Sequence, residues 1–256
     1  MGETTGISWT DHTWNPWHGC IKVSPGCKNC YMYREKKQYG QQPDLVVRSK
    51  TTFNSPLKWE SGRVFTCSWS DFFIEQADAW RDEAWNIIRR TPHLTYQILT
   101  KRPELMARRL PKDWGEGYPN VWLGVSAEDQ KYADLRVPIL IDTPARIRFV
   151  SAEPLLDGIS VKASWIGNIH WVIVGGESGP GARPCDMRWM EALQRGCHFG
   201  KIAFFLKQFG SRPTSGGIPV KVTKSGTDPL EWPEYLRVQE FPEDVERVLG
   251  QMGGKG

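Results

Sequence analysis

Apolar residues along the chain fall into short runs separated by longer stretches with helical spacing. The runs are 64–69 (VFTCSW), 95–100 (TYQILT), 121–126 (VWLGVS), 146–151 (RIRFVS), 171–176 (WVIVGG) and 202–207 (IAFFLK). They are rich in β-branched and aromatic residues, and several are apolar throughout, as strands buried on both faces are. The stretches between them read as helices. In AWRDEAWNIIRR, the residues Trp80, Ala84, Ile87 and Ile88 share one face, and Pro92 closes the pattern. In CDMRWMEALQRG, Asp186 stands at the N-cap position and Met190 and Leu193 point inward. This alternation predicts βαβ units in a parallel sheet or barrel. It fades near residue 212, where PTSGGIP and KSGTDP begin, so the boundaries expected are a barrel over 1–211 and a C-terminal extension over 212–256.

The residues after each run are polar or charged. They are Ser68, Ser70 and Asp71; Thr100, Lys101 and Arg102; Ser126 and Glu128; Ser151 and Glu153; Glu177 and Ser178; Lys207 and Gln208. Parallel α/β folds bind ligands at the carboxyl ends of their strands, because the loops converge there. Six strand ends of this kind make a candidate cofactor set of Ser70, Asp71, Ser126, Glu128, Glu153, Gly175, Gly176 and Glu177. The plain alternative, for each residue taken singly, is a solvated loop. VIVGGESGPGARP lacks the Gly-Lys-Ser/Thr of a phosphate loop and the spacing of a dinucleotide fold, so neither is expected. Its glycines suit a close backbone approach or a turn. Lys101, Arg102, Arg183 and Arg188 are candidates for phosphate contacts or for a solvated rim.

Composition narrows the setting. Of 256 residues 39% are hydrophobic and 24% charged, the balance of a globular chain, and no apolar run is long enough to cross a membrane. The first residues, MGETTGISWTDHTW, lack a basic segment followed by an apolar run, so a cytoplasmic location is expected. Thiols stay reduced there. A net charge of +4 is compatible with a nucleic-acid partner without establishing one. The thirteen tryptophans are expected mainly in the core.

Cysteines carry the most specific chemistry. Cys20, Cys27 and Cys30 lie within HGCIKVSPGCKNCYMYR, where the spacing of Cys27 and Cys30 lets two thiolates reach one metal. Zinc would need a fourth ligand, for which His18 and His12 are candidates at spacings unlike those of a finger. Cys67 falls in an apolar run, and Cys185 and Cys197 lie far downstream. A [4Fe–4S] cluster held by three cysteines leaves one iron open for a cofactor or substrate, which accounts for the missing ligand.

That arrangement resembles the radical S-adenosylmethionine (radical SAM) superfamily, whose three cysteines follow the first strand of a partial (β/α)6 barrel. The resemblance implies that S-adenosylmethionine chelates the open iron and that one-electron reduction yields a 5′-deoxyadenosyl radical. The spacing here is C-x6-C-x2-C rather than C-x3-C-x2-C. Asn29 stands where an aromatic residue is usual, and the Gly-Gly-Glu of 175–177 ends a late strand instead of the second. ISWTDHTWNPWHGC, SPGCKNCY, LTKRPE, WLGVSAED, RFVSAEPLL, VIVGGESGPGARP and FLKQFG together are similar to a bacteriophage-rich family with the same widened loop. Radical SAM members in phages act in thymidine hypermodification, which protects viral DNA from restriction. The resemblance therefore implies an isomerase converting N-linked to C-linked glycyl thymidine, with phage DNA and an electron donor as partners. A radical SAM enzyme acting on tRNA or a peptide, and a zinc or iron–sulfur nucleic-acid-binding module without turnover, remain the other readings.

Overall fold

The computed structural model describes residues 5–243. The chain is mixed α/β and builds a seven-stranded parallel sheet. Its strands are β1 (His12–Trp14), β2 (Gly62–Thr66), β3 (Leu94–Thr100), β4 (Val121–Ser126), β5 (Ile147–Ala152), β6 (Trp171–Gly175) and β7 (Ala203–Gln208), in that order across the sheet. Among the described residues four longer helices accompany them: α1 (Tyr31–Gln38), α2 (Asp78–Arg90), α3 (Gln130–Ile141) and α4 (Met187–Gly200). Contacts divide the chain into two compact units. One runs through Val125 and includes Pro138–Arg146; the other comprises Ser126–Val137 and the chain from Ile147.

In the first unit β1, β2, β3 and β4 pair in register, with Trp14 opposite Thr66, Thr66 opposite Ile98 and Thr100 opposite Val125. The first strand has only three residues and mixes polar with apolar ones, too little for periodicity to reveal. The run 64–69 is not one strand. β2 ends at Thr66, and Cys67 takes a left-handed φ of 65°, where its amide donates to Trp14 O at 2.8 Å. A β-carbon is disfavoured at that φ, so the ladder stops and the chain turns toward Asp71. Along α2 the inward face is Ala84, Trp85, Ile87 and Ile88 with Arg81, while Trp80 stays half-buried. Arg81 takes the inward position because its guanidinium holds the carbonyls of Phe72 and Ile74.

In the second unit β6 lies between β5 and β7, with Val150 opposite Val172 and Phe205 opposite Ile173. Every residue of β6 is buried, as expected of a central parallel strand. The described part of the expected extension, 212–243, belongs to this unit; the part from 244 onward lies outside the described residues. Pro213–Ser215 pairs with Cys185–Asp186, Leu206 N donates to Val238 O at 2.9 Å, and Trp232 is buried. Nine tryptophans are core residues: Trp9, Trp14, Trp17, Trp85, Trp114 and Trp122 in the first unit, and Trp165, Trp171 and Trp232 in the second. Those nine are not available to stack on a base. No helix among the described residues is long and apolar enough to cross a membrane.

Asp186 caps α4 as its position in the sequence predicts. Its carboxylate accepts from Arg188 N at 3.0 Å and from the Arg188 guanidinium at 2.8 Å. Asp186→Ala should lower stability by about 1–2 kcal/mol in urea unfolding. The hydrogen bond from the Arg188 side chain, outweighing burial, holds the Asp186 carboxyl below the usual carboxylate range. A group whose folded pKa is depressed stabilises above its unfolded pKa and loses that contribution as pH falls through the folded one. The gap between wild type and variant should therefore close in acid.

Candidate functional site

The three cysteines occupy the loop that leaves the carboxyl end of β1. Asn15 fixes its start: its Nδ2 donates to Ser68 Oγ at 2.9 Å, and its Oδ1 accepts from Trp69 N at 2.7 Å. Gly19 follows with φ 99°. Its amide donates to Trp69 O at 2.9 Å and its carbonyl accepts from Ser70 Oγ at 2.6 Å. A β-carbon there would lie 2.1 Å from Leu45 O, so only glycine fits. Ser70 is thus an anchor of the cysteine loop. Pro25–Cys27 makes one 3₁₀ turn, and Cys30 occupies the N-cap position of α1.

A buried ion pair braces this loop from below. Asp71 accepts four hydrogen bonds: Oδ1 from Phe73 N (3.0 Å) and Thr100 Oγ1 (2.7 Å), and Oδ2 from Lys101 N (3.0 Å) and Arg102 Nη1 (3.1 Å). The side chains of Arg102 and Asp71 are 8% and 5% exposed. Arg102 also donates to Cys20 Sγ at 3.7 Å and to Ile21 O. The carboxyl ends of β2 and β3 are therefore tied together, and their shared guanidinium reaches the first cysteine. Asp71 holds the residue that holds Cys20.

The thiols differ electrically. Burial, aided by Asp71 and opposed by Arg102, pushes the Cys20 thiol up to about 12. Burial also pushes Cys27 up, but the charge of Lys101 and hydrogen bonds from Val23 and Ser24 outweigh it and bring Cys27 below the ordinary thiol value. Burial first, and then the charges of Cys20, Asp44, Cys30 and Cys27, raise the Tyr33 phenol to about 12. That phenol also donates to Cys20 O, so Tyr33 lies close enough to feel all three thiols. Neither Tyr33 nor Asn15 is singled out by spacing or motif. Of the two histidines, His12 stacks on Trp59 with ring centroids 4.4 Å apart and bonds Ser61 O. The Nδ1 of His18 is enclosed without a hydrogen-bond partner among the described residues. Burial, and then the charge of Lys36, lower its pKa.

The remaining candidates are residues of the second unit. Glu128 is fully buried and pairs with Arg136 Nη1 at 2.8 Å, which also donates to Ser126 O at 2.8 Å. Glu177 accepts from Arg183 N and Nε at 2.9 Å each, and from Nη2 at 2.6 Å. Glu153 is more open, 17% exposed at the side chain, and faces Lys207 Nζ at 3.0 Å and Ser151 Oγ at 3.4 Å. The two glycines admit the protein's own atoms. A β-carbon on Gly175 would lie 2.5 Å from Glu153 Oε1, and one on Gly176 would lie 2.1 Å from Phe209 O. Three of the four cations suggested for phosphate are engaged with carboxylates: Arg102 with Asp71, Arg183 with Glu177 and Arg188 with Asp186.

In this arrangement no group of three or more His, Cys, Asp or Glu among the described residues is drawn together around a single ion position. The donor chemistry nevertheless suits an iron–sulfur cluster: three free thiols stand on one loop, Cys20 feels the charge of Cys27, and Lys101 and Arg102 are placed to offset thiolate charge at Cys27 and Cys20. No curated protein and no solved structure matches the chain. A family model described as Protein of unknown function (DUF5131) matches residues 4–243, and the chain belongs to that family.

Proposed function

We propose that this protein is a radical SAM enzyme in which Cys20, Cys27 and Cys30 hold a [4Fe–4S] cluster and S-adenosylmethionine takes the open iron. The observation that carries the proposal is the brace under the cysteine loop. A guanidinium 8% exposed, held by a fully engaged Asp71, is directed at Cys20 and Ile21. Burying such a pair is costly unless its geometry is well satisfied, and here it is satisfied by anchoring a thiol. When bound, the cluster and cofactor supply one-electron chemistry able to break an unactivated C–H bond. The chain's part is to hold three thiolates in place. Arg102 offsets charge at Cys20, Lys101 does so at Cys27, and Tyr33 ties the Cys20 carbonyl to α1.

The preferred substrate is a glycine-substituted thymidine in phage DNA, and the preferred reaction is its isomerisation from an N-linked to a C-linked form. Support for the substrate comes from the resemblance to the bacteriophage-rich family and from the mildly basic chain. Protein purified and reconstituted anaerobically should be brown, with about four irons per chain. Alanine at Cys20, Cys27 or Cys30 should abolish the colour, while Cys197→Ala, at a buried position in α4, should retain it. A colourless protein holding one zinc would overturn the cluster. Reduced enzyme should release 5′-deoxyadenosine and methionine from S-adenosylmethionine. Nucleoside digests of DNA carrying the modified base should then show a product of unchanged mass and altered retention. Cofactor cleavage supported by RNA or peptide, with the DNA unaltered, would overturn the substrate alone.

A further inference from the structure

Beyond the Asp71–Arg102 brace, the loops that leave the carboxyl ends of β2 and β3 meet again around a second group of charges. A pocket of about 210 Å³ opens there in the first unit, lined by Asp78, Arg81 and Asp82 of α2 and by Arg108, Arg109 and Leu110 of the loop after β3. Its volume is below the roughly 300–1,000 Å³ of pockets that enclose a drug-sized ligand, so it suits one polar group of a larger molecule. The loop is held in place by the chain itself. Arg109 N donates to Met106 O at 2.8 Å, and the buried Trp85 donates through Nε1 to Arg109 O at 2.9 Å.

The three guanidiniums stand differently. Arg81, 4% exposed at the side chain, is fully engaged: it donates to Phe72 O at 2.9 Å, to Ile74 O and to Asp78. Arg109, 7% exposed at the side chain, turns Nε and Nη2 to the two oxygens of Asp78 at 2.7 and 2.9 Å, with Glu75 Oε1 3.6 Å from Nη2. Its Nη1 is buried and has no hydrogen-bond partner among the described residues. Arg108 is exposed and forms no ion pair among the described residues. A buried guanidinium N–H left unmatched has lost water and gained nothing in return, which is costly. Asp78 does not meet it. Both Asp78 oxygens already accept from arginines, and those bonds, led by that from Arg109 and outweighing burial, hold its carboxyl below the usual range. Three arginines against two aspartates leave the lining net positive.

We propose that this pocket binds a phosphate group, held by Arg108 and by the unmatched Nη1 of Arg109. Guanidiniums on adjacent residues offer donors in several directions, which a tetrahedral oxyanion meets more fully than a planar carboxylate does. The charge of Asp82 opposes any anion and sets the affinity lower than the arginines alone would. The cysteine loop leaves the carboxyl end of β1, so the pocket belongs to loops that issue from the same end of the parallel sheet. A small phosphate ester and a nucleic-acid strand share this chemistry. The strand as source rests on the DNA reading above; the pocket itself rests on neither that reading nor the cluster.

Isothermal titration of the full chain with inorganic phosphate tests the site, at about pH 8, where phosphate is a dianion, and at constant ionic strength. One saturable site is expected. Arg108→Ala should weaken it about tenfold by removing a charge-assisted hydrogen bond, and Asp82→Asn should tighten it about threefold by removing a like charge. Both residues are exposed, so circular dichroism and the urea midpoint of each variant should equal wild type. Acetate should bind about tenfold more weakly than phosphate. Phosphate binding unchanged by Arg108→Ala, or acetate bound as tightly as phosphate, overturns the proposal. Competition then reads the source. A thymidine tetranucleotide without terminal phosphates that displaces phosphate from wild type assigns the pocket to a strand. Displacement by glycerol phosphate where the tetranucleotide fails assigns it to a small phosphate ester, and counts against the DNA substrate while the pocket stands. If neither displaces it, the pocket takes an adventitious ion only and the proposal fails.

Discussion

Asp71→Ala is expected to destabilise the protein by about 3–5 kcal/mol in urea unfolding, the range for removing one partner of a buried ion pair. The size follows from what is left behind. Thr100 Oγ1, the amides of Phe73 and Lys101, and the Arg102 guanidinium all lose their acceptor, in a place where Arg102 is only 8% exposed. Arg102→Met removes the uncompensated charge, so the double variant should be more stable than Asp71→Ala alone. Asp71→Asn tests the charge separately. It keeps one acceptor oxygen but presents an amino group to neighbours that are themselves donors. In the metal-free chain Asp71→Ala and Asp71→Asn should speed alkylation of Cys20, because the Asp71 charge helps raise that thiol while Arg102, hydrogen-bonded to its sulfur, lowers it. If Asp71→Ala unfolds at the wild-type urea concentration, the brace under the cysteine loop does not exist as described.

Sequence pattern revealed the sheet better than the site. Continuous apolar runs such as VWLGVS and WVIVGG mark β4 and β6 because strands buried on both faces need no alternation. β1 escaped this logic, since His12–Trp14 is too short for a period and its identity depends on pairing with Val64–Thr66. Cys67 misled it, because a buried thiol extends an apolar run while a φ of 65° ends the strand. At the site, the spacing of Cys20, Cys27 and Cys30 is readable because chelation is local along the chain. The use made of Ser70 and Asp71 is not. Both look like ligands in a list of polar strand ends, yet Ser70 bonds Gly19 O and Asp71 bonds four donors of the protein. Apart from Phe73 N, two residues on, their partners lie between twenty-nine and fifty-one residues away in sequence, a separation that no local pattern reports. Glu128 and Glu177 tell the same story, each matched by an arginine that only the fold brings to it.

The paired glycines after β6 offer a sharper separation, because two adjacent substitutions by alanine should behave differently. Gly176→Ala places a β-carbon 2.1 Å from Phe209 O, a backbone atom. Gly210, with φ 89°, packs against Gly176 on the same side, its Cα 3.1 Å from that β-carbon, and Gly176 N donates to Gln208 O at 3.1 Å. Relief requires moving the backbone of 208–210 away from the end of β6, at a cost near the top of the range for overpacking, about 3 kcal/mol. Gly175→Ala meets Glu153 Oε1 at 2.5 Å, the far end of a flexible side chain. Glu153 can rotate away and give up its pairing with Lys207 Nζ at 3.0 Å, a half-open contact worth less than about 1 kcal/mol. Urea unfolding should therefore show a large fall in midpoint for Gly176→Ala and a small one for Gly175→Ala. Equal and small effects would mean that the turn yields easily and that Gly176 is there for something other than packing. Equal and large effects would mean that Glu153 is fixed, and that its carboxylate is held by more than Lys207 and Ser151.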